Sequence, residues 1–242
     1  MLFDHFDAVR IINLKHRTDR RAQMEGELRR LGASGDPRVA FFDACRFDQP
    51  GTFTSIGARG VYHSQLAILE EAAAQGSSVL ILEDDVDFTS TARDTTLPAD
   101  WQIFYGGHYA SRPEDLRDSD IIGAHCMGFR ADVVPALATY LRGLLALDDH
   151  PPIDGAYVWY RRAHPEIVTH FAVPPIANQR PSRTDIADQR FFDRWPGLRE
   201  AAGLARRGKR LAARDPAAFR RRALLLGVGG GAVAALLAVA LA

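Results

Sequence analysis

The sequence predicts an α/β protein with a mostly parallel sheet flanked by helices, followed by a membrane-spanning helix at its C-terminal end. Short apolar runs of strand length alternate with helical patterns from residue 8 to about residue 147. Parallel sheets produce that alternation, because their crossovers are helices. The second observation is the final stretch, in which every residue from Leu224 to Ala242 is Leu, Val, Ala or Gly.

Residues 9–14 read as a buried first strand. Thr18 or Asp19 then caps a helix with Met24, Leu28 and Leu31 at helical spacing, and Gly32 stops it. Residues 39–42 form a second short strand. A helix over 61–74 carries Leu66, Leu69 and Ala73 on one face and ends at Gly76. Residues 79–82 are a buried strand running directly into Glu83-Asp84-Asp85. Another strand over 101–105 is closed by Gly106-Gly107; residues 121–129 are extended and 131–147 helical. In open sheets of this class ligands bind beyond the C-terminal strand ends. Asn13-Leu14 and Glu83-Asp84-Asp85 both fall on that edge.

The formal charge of the 242 residues balances to zero, but unevenly. Acids cluster between Glu83 and Asp120, while 199–222 is strongly basic. That distribution excludes nucleic acid as a partner of the main domain and points to a membrane surface near the end. Cys45 and Cys126 make neither a disulfide framework nor a metal-ligand spacing. The expected organisation is a main domain over 1–196, a basic juxtamembrane segment over 197–223 and a transmembrane anchor over 224–242. At about 1.5 Å rise per residue the last stretch nearly matches a hydrocarbon core of about 30 Å. Arg220-Arg221-Arg222 just before it predicts a cytoplasmic main domain, by the positive-inside rule. The first residues show no secretory signal. The expected location is therefore the inner (cytoplasmic) membrane, with a single-pass C-terminal anchor.

Consecutive carboxylates at the end of an apolar strand are costly unless a cation or solvent meets them. Such oxygen ligands suit Mg2+ or Mn2+, which keep waters and use substrate phosphates as further ligands. A metal there would bridge a diphosphate and stabilise charge on a departing nucleoside diphosphate. An acidic strand-to-loop turn with no ligand is the plainer alternative.

A set of motifs then follows in order: Ile12-Asn13-Leu14 with Asp19-Arg20, Gly60-Val61-Tyr62-His63-Ser64, and Leu82-Glu83-Asp84-Asp85-Val86. After these come Pro152-Ile153-Asp154, then Pro174-Pro175-Ile176-Ala177-Asn178-Gln179 with Ser182 and Asp185-Ile186. In these motifs and their order, residues 8 to about 188 resemble glycosyltransferase family 25, the lipooligosaccharide-type β-glycosyltransferases. The resemblance implies a GT-A-like fold, an inverting transfer and a UDP-sugar donor, commonly UDP-galactose or UDP-glucose.

The family roles make physical sense here. Asn13, Leu14, Arg17 and Arg20 lie before or within the start of the first helix, where N–H groups and positive charge favour a nucleotide phosphate. Asp84 and Asp85 are the expected metal ligands, for Mn2+ or Mg2+, with Glu83 beside them; Asp87 is a further possible ligand. An inverting transfer needs a base for the acceptor hydroxyl. Asp154 is the first candidate and Asp185 the second. Ser64, Gln179 and Ser182 are expected around the donor or acceptor. His125 reads first as a buried structural histidine. The chain departs from the family where Gln65 replaces a His, with His63 two residues earlier.

Two other readings fit. Residues 81–89 also match the first motif of haloacid-dehalogenase-like phosphatases, with Asp85 as nucleophile and Asp87 as acid-base partner. That class needs a downstream lysine, and the sequence offers only Lys209. The other reading, motivated by Gln65, is a membrane-bound protein that binds a nucleotide sugar without turning it over. The expected partners are a UDP-sugar, a glycan acceptor, for which the anchor suggests a lipid-linked glycan, and the membrane.

Overall fold

The computed structural model describes residues 1–180. The described chain is α/β, with strands β1 (Ala8–Asn13), β2 (Val39–Asp43), β3 (Val79–Glu83), β4 (Val86–Phe88), β5 (Ile103–Ala110), β6 (Ile121–Phe129), β7 (Thr169–Phe171) and β8 (Ala177–Gln179). Its helices are α1 (Thr18–Leu31), α2 (Ile56–Gln75), α3 (Val134–Leu144) and α4 (Ile153–Ala163). Six strands form one sheet in the order β2-β1-β3-β6-β5-β7, and β4 pairs with β8 in a separate ribbon. The main sheet is mostly parallel. β1 runs parallel to β2 and β3, and β5 to β7, while β6 is antiparallel to both of its neighbours.

The sheet divides two cores, and strand periodicity decides which residue enters which. Ile12, Ile81, Met127 and Phe129 face α2, α3 and α4, against Leu66, Leu141 and Tyr157. Ile11, Leu80, Leu82 and Cys126 face the other way, against Met24, Leu28 and Leu31 of α1. The expected layering therefore holds.

Several boundaries differ from the sequence expectation. Arg17, not Thr18 or Asp19, occupies the N-cap of α1, and no side chain caps it; Gly32 closes the helix at φ 76° as expected. Helix α2 starts at Ile56 because the Ser55 hydroxyl accepts the Ala58 N–H, and Gly76 ends it at φ 60°. Helix α3 is shorter than 131–147. Gly106 and Gly107 do not close β5 but lie inside it. They are needed there because β6 crowds them: a Cβ at Gly107 would lie 2.1 Å from His125 Nε2, and one at Gly106 would lie 2.5 Å from Cys126 Sγ.

Among the described residues no helix is long and apolar enough to cross a membrane. The expected span over 224–242, the basic segment before it, and the site candidates Ser182 and Asp185 all lie outside the described residues.

Candidate functional site

The parallel register of β1 and β3 places Ile12 beside Glu83, so two motifs far apart in sequence end on one sheet edge. Asn13 Nδ2 donates to Asp84 Oδ2 at 2.7 Å. Arg20, from the first turns of α1, donates through Nη1 to Asp84 Oδ1 at 2.8 Å and lies 3.8 Å from Asp85 Oδ2. All of these side chains are nearly or largely buried. Asp84 thus ties β1, α1 and the turn after β3 together, with both carboxylate oxygens engaged.

The last motif closes the other side. Its residues form β8, which pairs antiparallel with β4 so that Gln179 stands opposite Val86. Gln179 Nε2 donates to Glu83 Oε2 at 3.3 Å. The next residue, Arg180, was not singled out by the sequence. Its backbone N–H donates to Asp85 O at 2.6 Å. Its guanidinium meets Asp87 Oδ1 at 2.9 and 2.7 Å, Val86 O at 3.1 Å and Gln23 Oε1 at 2.6 Å. Both partners of the Arg180–Asp87 pair are 3% exposed. Asp87, weighed as a metal ligand or a phosphatase acid-base partner, is held in a buried ion pair with Arg180.

Burial raises the Asp85 carboxyl from an ordinary 3.8 to about 6, with Arg20 pulling the other way and Asp84 adding to the rise. Its Oδ1 is buried and has no hydrogen-bond partner. Glu83 is also pushed up, first by desolvation and then by Asp85 and Asp84. A carboxyl raised in this way holds a proton that the unfolded chain has already released. Stability should therefore fall as pH rises from about 4 through 6 for Asp85 and on to about 8 for Glu83, with no recovery above it. Urea denaturation across that window checks this; a rise in stability there would contradict the protonation assigned to Asp85.

A pocket of about 380 Å3 opens over these groups. Glu83, Asp84 and Asp85 form one side with Gln179; Arg20, His16 and Arg46 supply positive or titratable groups; Leu14, Phe47 and Val61 supply apolar wall. His16, Arg46 and Phe47 escaped the sequence reading, since isolated loop residues carry no pattern. Ser64 does not line the pocket but builds its wall. Its hydroxyl donates to Gly60 O at 2.7 Å and accepts the Cys45 N–H at 2.8 Å. Gly60 completes that contact, because a Cβ there would lie 2.8 Å from Cys45 O. The Gly-x-x-x-Ser spacing thus docks residues 44–47 onto α2. Gly60→Ala should cost about 1–3 kcal/mol through overpacking and displace this wall, read as a lower urea midpoint and weaker ligand binding; unchanged values for both would refute the docking role.

Gln65 is fully buried, donating to Ala124 O at 3.2 Å and accepting from Tyr157 Oη at 2.6 Å. This position is a core hydrogen-bonding site. His63 lies among the rings of Phe47 and Phe53, and burial lowers its pKa. His125 is buried against Ala177 O at 3.3 Å and is pushed down to about 4, as a structural histidine should be. Arg17 pairs with Asp19 at 2.8 Å. Asp154, at the start of α4, accepts the N–H groups of Gly123 and Gly155 at 3.2 and 2.9 Å and is not among the pocket-lining residues.

Among the described residues no three His, Cys, Asp or Glu side chains are grouped to hold a metal ion. The donor set nevertheless fits Mg2+ or Mn2+ in the way these ions use one or two carboxylates completed by phosphates and water. The unmet Asp85 Oδ1 is the oxygen such an ion would take. Asp84, expected as an equal ligand, has both oxygens committed to Asn13 and Arg20.

No family model matches the chain, and no curated protein matches it in sequence. Among solved structures, a glycosyltransferase involved in the glycosylation of the major capsid of PBCV-1 is similar with a TM-score of 0.42 at 13% identity, over 68% of this chain and 82% of that one. CTP:phosphocholine cytidylyltransferase from Streptococcus pneumoniae is similar with a TM-score of 0.39 at 10% identity, over 74% and 75% of the two chains. Likeness at this level carries no argument about activity.

Proposed function

We propose that this chain is an inverting glycosyltransferase of the GT-A type, akin to family 25, that moves a hexose from a UDP-sugar to a glycan. The observation that carries the reading is the convergence of separated motifs on one pocket. Residues 12–14, Arg20, residues 83–85 and Gln179 meet there, around a buried carboxylate with an open oxygen. A diphosphate needs cations, and Arg20, Arg46 and a divalent ion on Asp85 would supply them. The apolar wall of Leu14, Phe47 and Val61 suits a base or a sugar face.

In this reading Arg20 and Gln179 orient the donor, and Asp84 holds Arg20 in place. The divalent ion, when bound, neutralises charge on the departing UDP. Asp154 remains the first candidate for the base that takes the acceptor hydroxyl proton, and Asp185 the second. Galactose or glucose as the sugar, a lipid-linked acceptor in cell-surface glycan synthesis, and an inner-membrane location through 224–242 belong to the same proposal. The motive for a non-catalytic reading weakens, since Gln65 sits in the core rather than at the pocket.

Equilibrium binding of UDP to the full chain in detergent, with and without Mn2+, tests the reading. UDP should bind, Arg20→Ala should weaken it at least about tenfold, the worth of one charge-assisted contact, and Mn2+ should strengthen it more at pH 8 than at pH 5, where Asp85 keeps its proton. Absence of UDP binding under every condition would rule out a uridine nucleotide donor.

A further inference from the structure

A second pocket, of about 370 Å3, shares no lining residue with the first. It lies between the end of α4, the segment leading into β7 and the loop joining β5 to β6, and Arg117, Arg161 and Arg162 line it. Arg161 is only 7% exposed. Its Nη1 donates to Arg117 O at 3.1 Å, while Nε and Nη2 are buried with no hydrogen-bond partner. No carboxylate among the described residues pairs with it within 4.0 Å, and it is held instead over the rings of Tyr105 and Phe171, at 5.3 and 5.2 Å. Ring faces do not replace the hydration a guanidinium gives up on burial. Burial raises the pKa of the Tyr105 hydroxyl, the adjoining Arg161 guanidinium holds it down against that rise, and the hydroxyl has no other partner among the described residues; His108 Nδ1 near by is buried and unmet.

Proteins bury an arginine with its fork open where an anion completes it, because the planar fork matches phosphate and carboxylate oxygens in pairs. Arg117 and Arg162 stand exposed at the rim, and with Arg161 the pocket carries three arginines against two acids, Asp118 and Glu166. Arg162 is further paired with Asp120 at 2.9 Å, and Glu166 with His164 at 3.2 Å. We propose that this pocket is a binding site for an oxyanion, phosphate or carboxylate, with Arg161 as the buried anchor and Arg117 at its entrance. The site stands on its own residues and does not depend on the nucleotide-sugar reading.

The test is thermal unfolding of the full chain in detergent against three probes: inorganic phosphate, glucuronate and phosphatidylglycerol mixed into the micelles. At least one should raise the Tm of the wild-type chain, and which one does so identifies whether a phosphate, a carboxylate or a lipid headgroup is the source. Arg161→Met should abolish the rise, Arg161→Lys should keep part of it, and Arg117→Ala, at an exposed position, should weaken the response several-fold while leaving the fold intact. UDP binding by Arg161→Met, measured in parallel, reports on the other pocket and on folding. If no probe raises the wild-type Tm, the proposal is overturned. It is equally overturned if the rise survives Arg161→Met, since the anion is then held elsewhere, with Arg20 the nearest alternative. Should Arg161→Met fail to fold, an undiminished response in both Arg161→Lys and Arg117→Ala overturns it.

Discussion

Arg180→Met is expected to destabilise the protein by about 3–5 kcal/mol, the usual result of removing one partner of a buried ion pair. The guanidinium sits against Asp87 with both groups 3% exposed, and it also bonds Val86 O and Gln23 Oε1. Methionine keeps the apolar stem but none of these contacts. Loss of the pair also frees β8 from β4, so Gln179 should leave Glu83 and the pocket should lose one side. Urea denaturation with parallel UDP binding checks this; a variant that keeps wild-type stability would show that Arg180 does not clamp the ribbon. Asp87→Asn provides a second view, since an amide can still accept from Arg180 and should cost less.

That clamp also marks where the sequence stops being informative. The helices α1 and α2 and strands β1, β2, β3 and β6 were legible because their apolar periodicity and their glycine stops are local signals. The three-residue strands β4, β7 and β8 were not, because three residues define no period and their pairing partners lie far away in sequence. Helix α4 was hidden for another reason: it begins behind Pro151-Pro152 and carries Gly155, both of which read as loop. The motifs announced their order but not their geometry. Nothing in Leu-Glu-Asp-Asp-Val says that Asp84 spends both oxygens on Asn13 and Arg20 while Asp85 keeps one open. Likewise, Gln65 in place of a histidine looked like a catalytic question until its partners proved to be Tyr157 and Ala124.

The second large effect concerns Asp85. Its carboxyl is buried, raised to about 6 and short of one hydrogen bond, so the folded protein carries it at a cost above that pH. Asp85→Asn removes the charge while keeping the shape. The variant should be more stable than the wild type at pH 8 without metal, and that advantage should shrink as pH falls below 6 and disappear near pH 4, where the unfolded carboxyl is protonated as well. It should also lose at least about 100-fold in turnover, since stabilising the charge on a departing UDP is worth several kcal/mol. A residue that weakens the fold and serves the reaction is expected at a catalytic centre. A merely structural aspartate would do the reverse, losing stability when replaced and leaving turnover to fall only with folding.

In the proposed reaction the pocket over Glu83, Asp84 and Asp85 activates a nucleotide sugar with the help of a divalent ion. Release of UDP from UDP-galactose and UDP-glucose by the full chain, with and without Mn2+ and beside Asp85→Asn, tests it most directly. Slow release is expected from one of these donors, requiring the metal and disappearing in a folded Asp85→Asn variant. Release that proceeds equally in that variant, or no release from either donor even with glycan acceptors present, would contradict it.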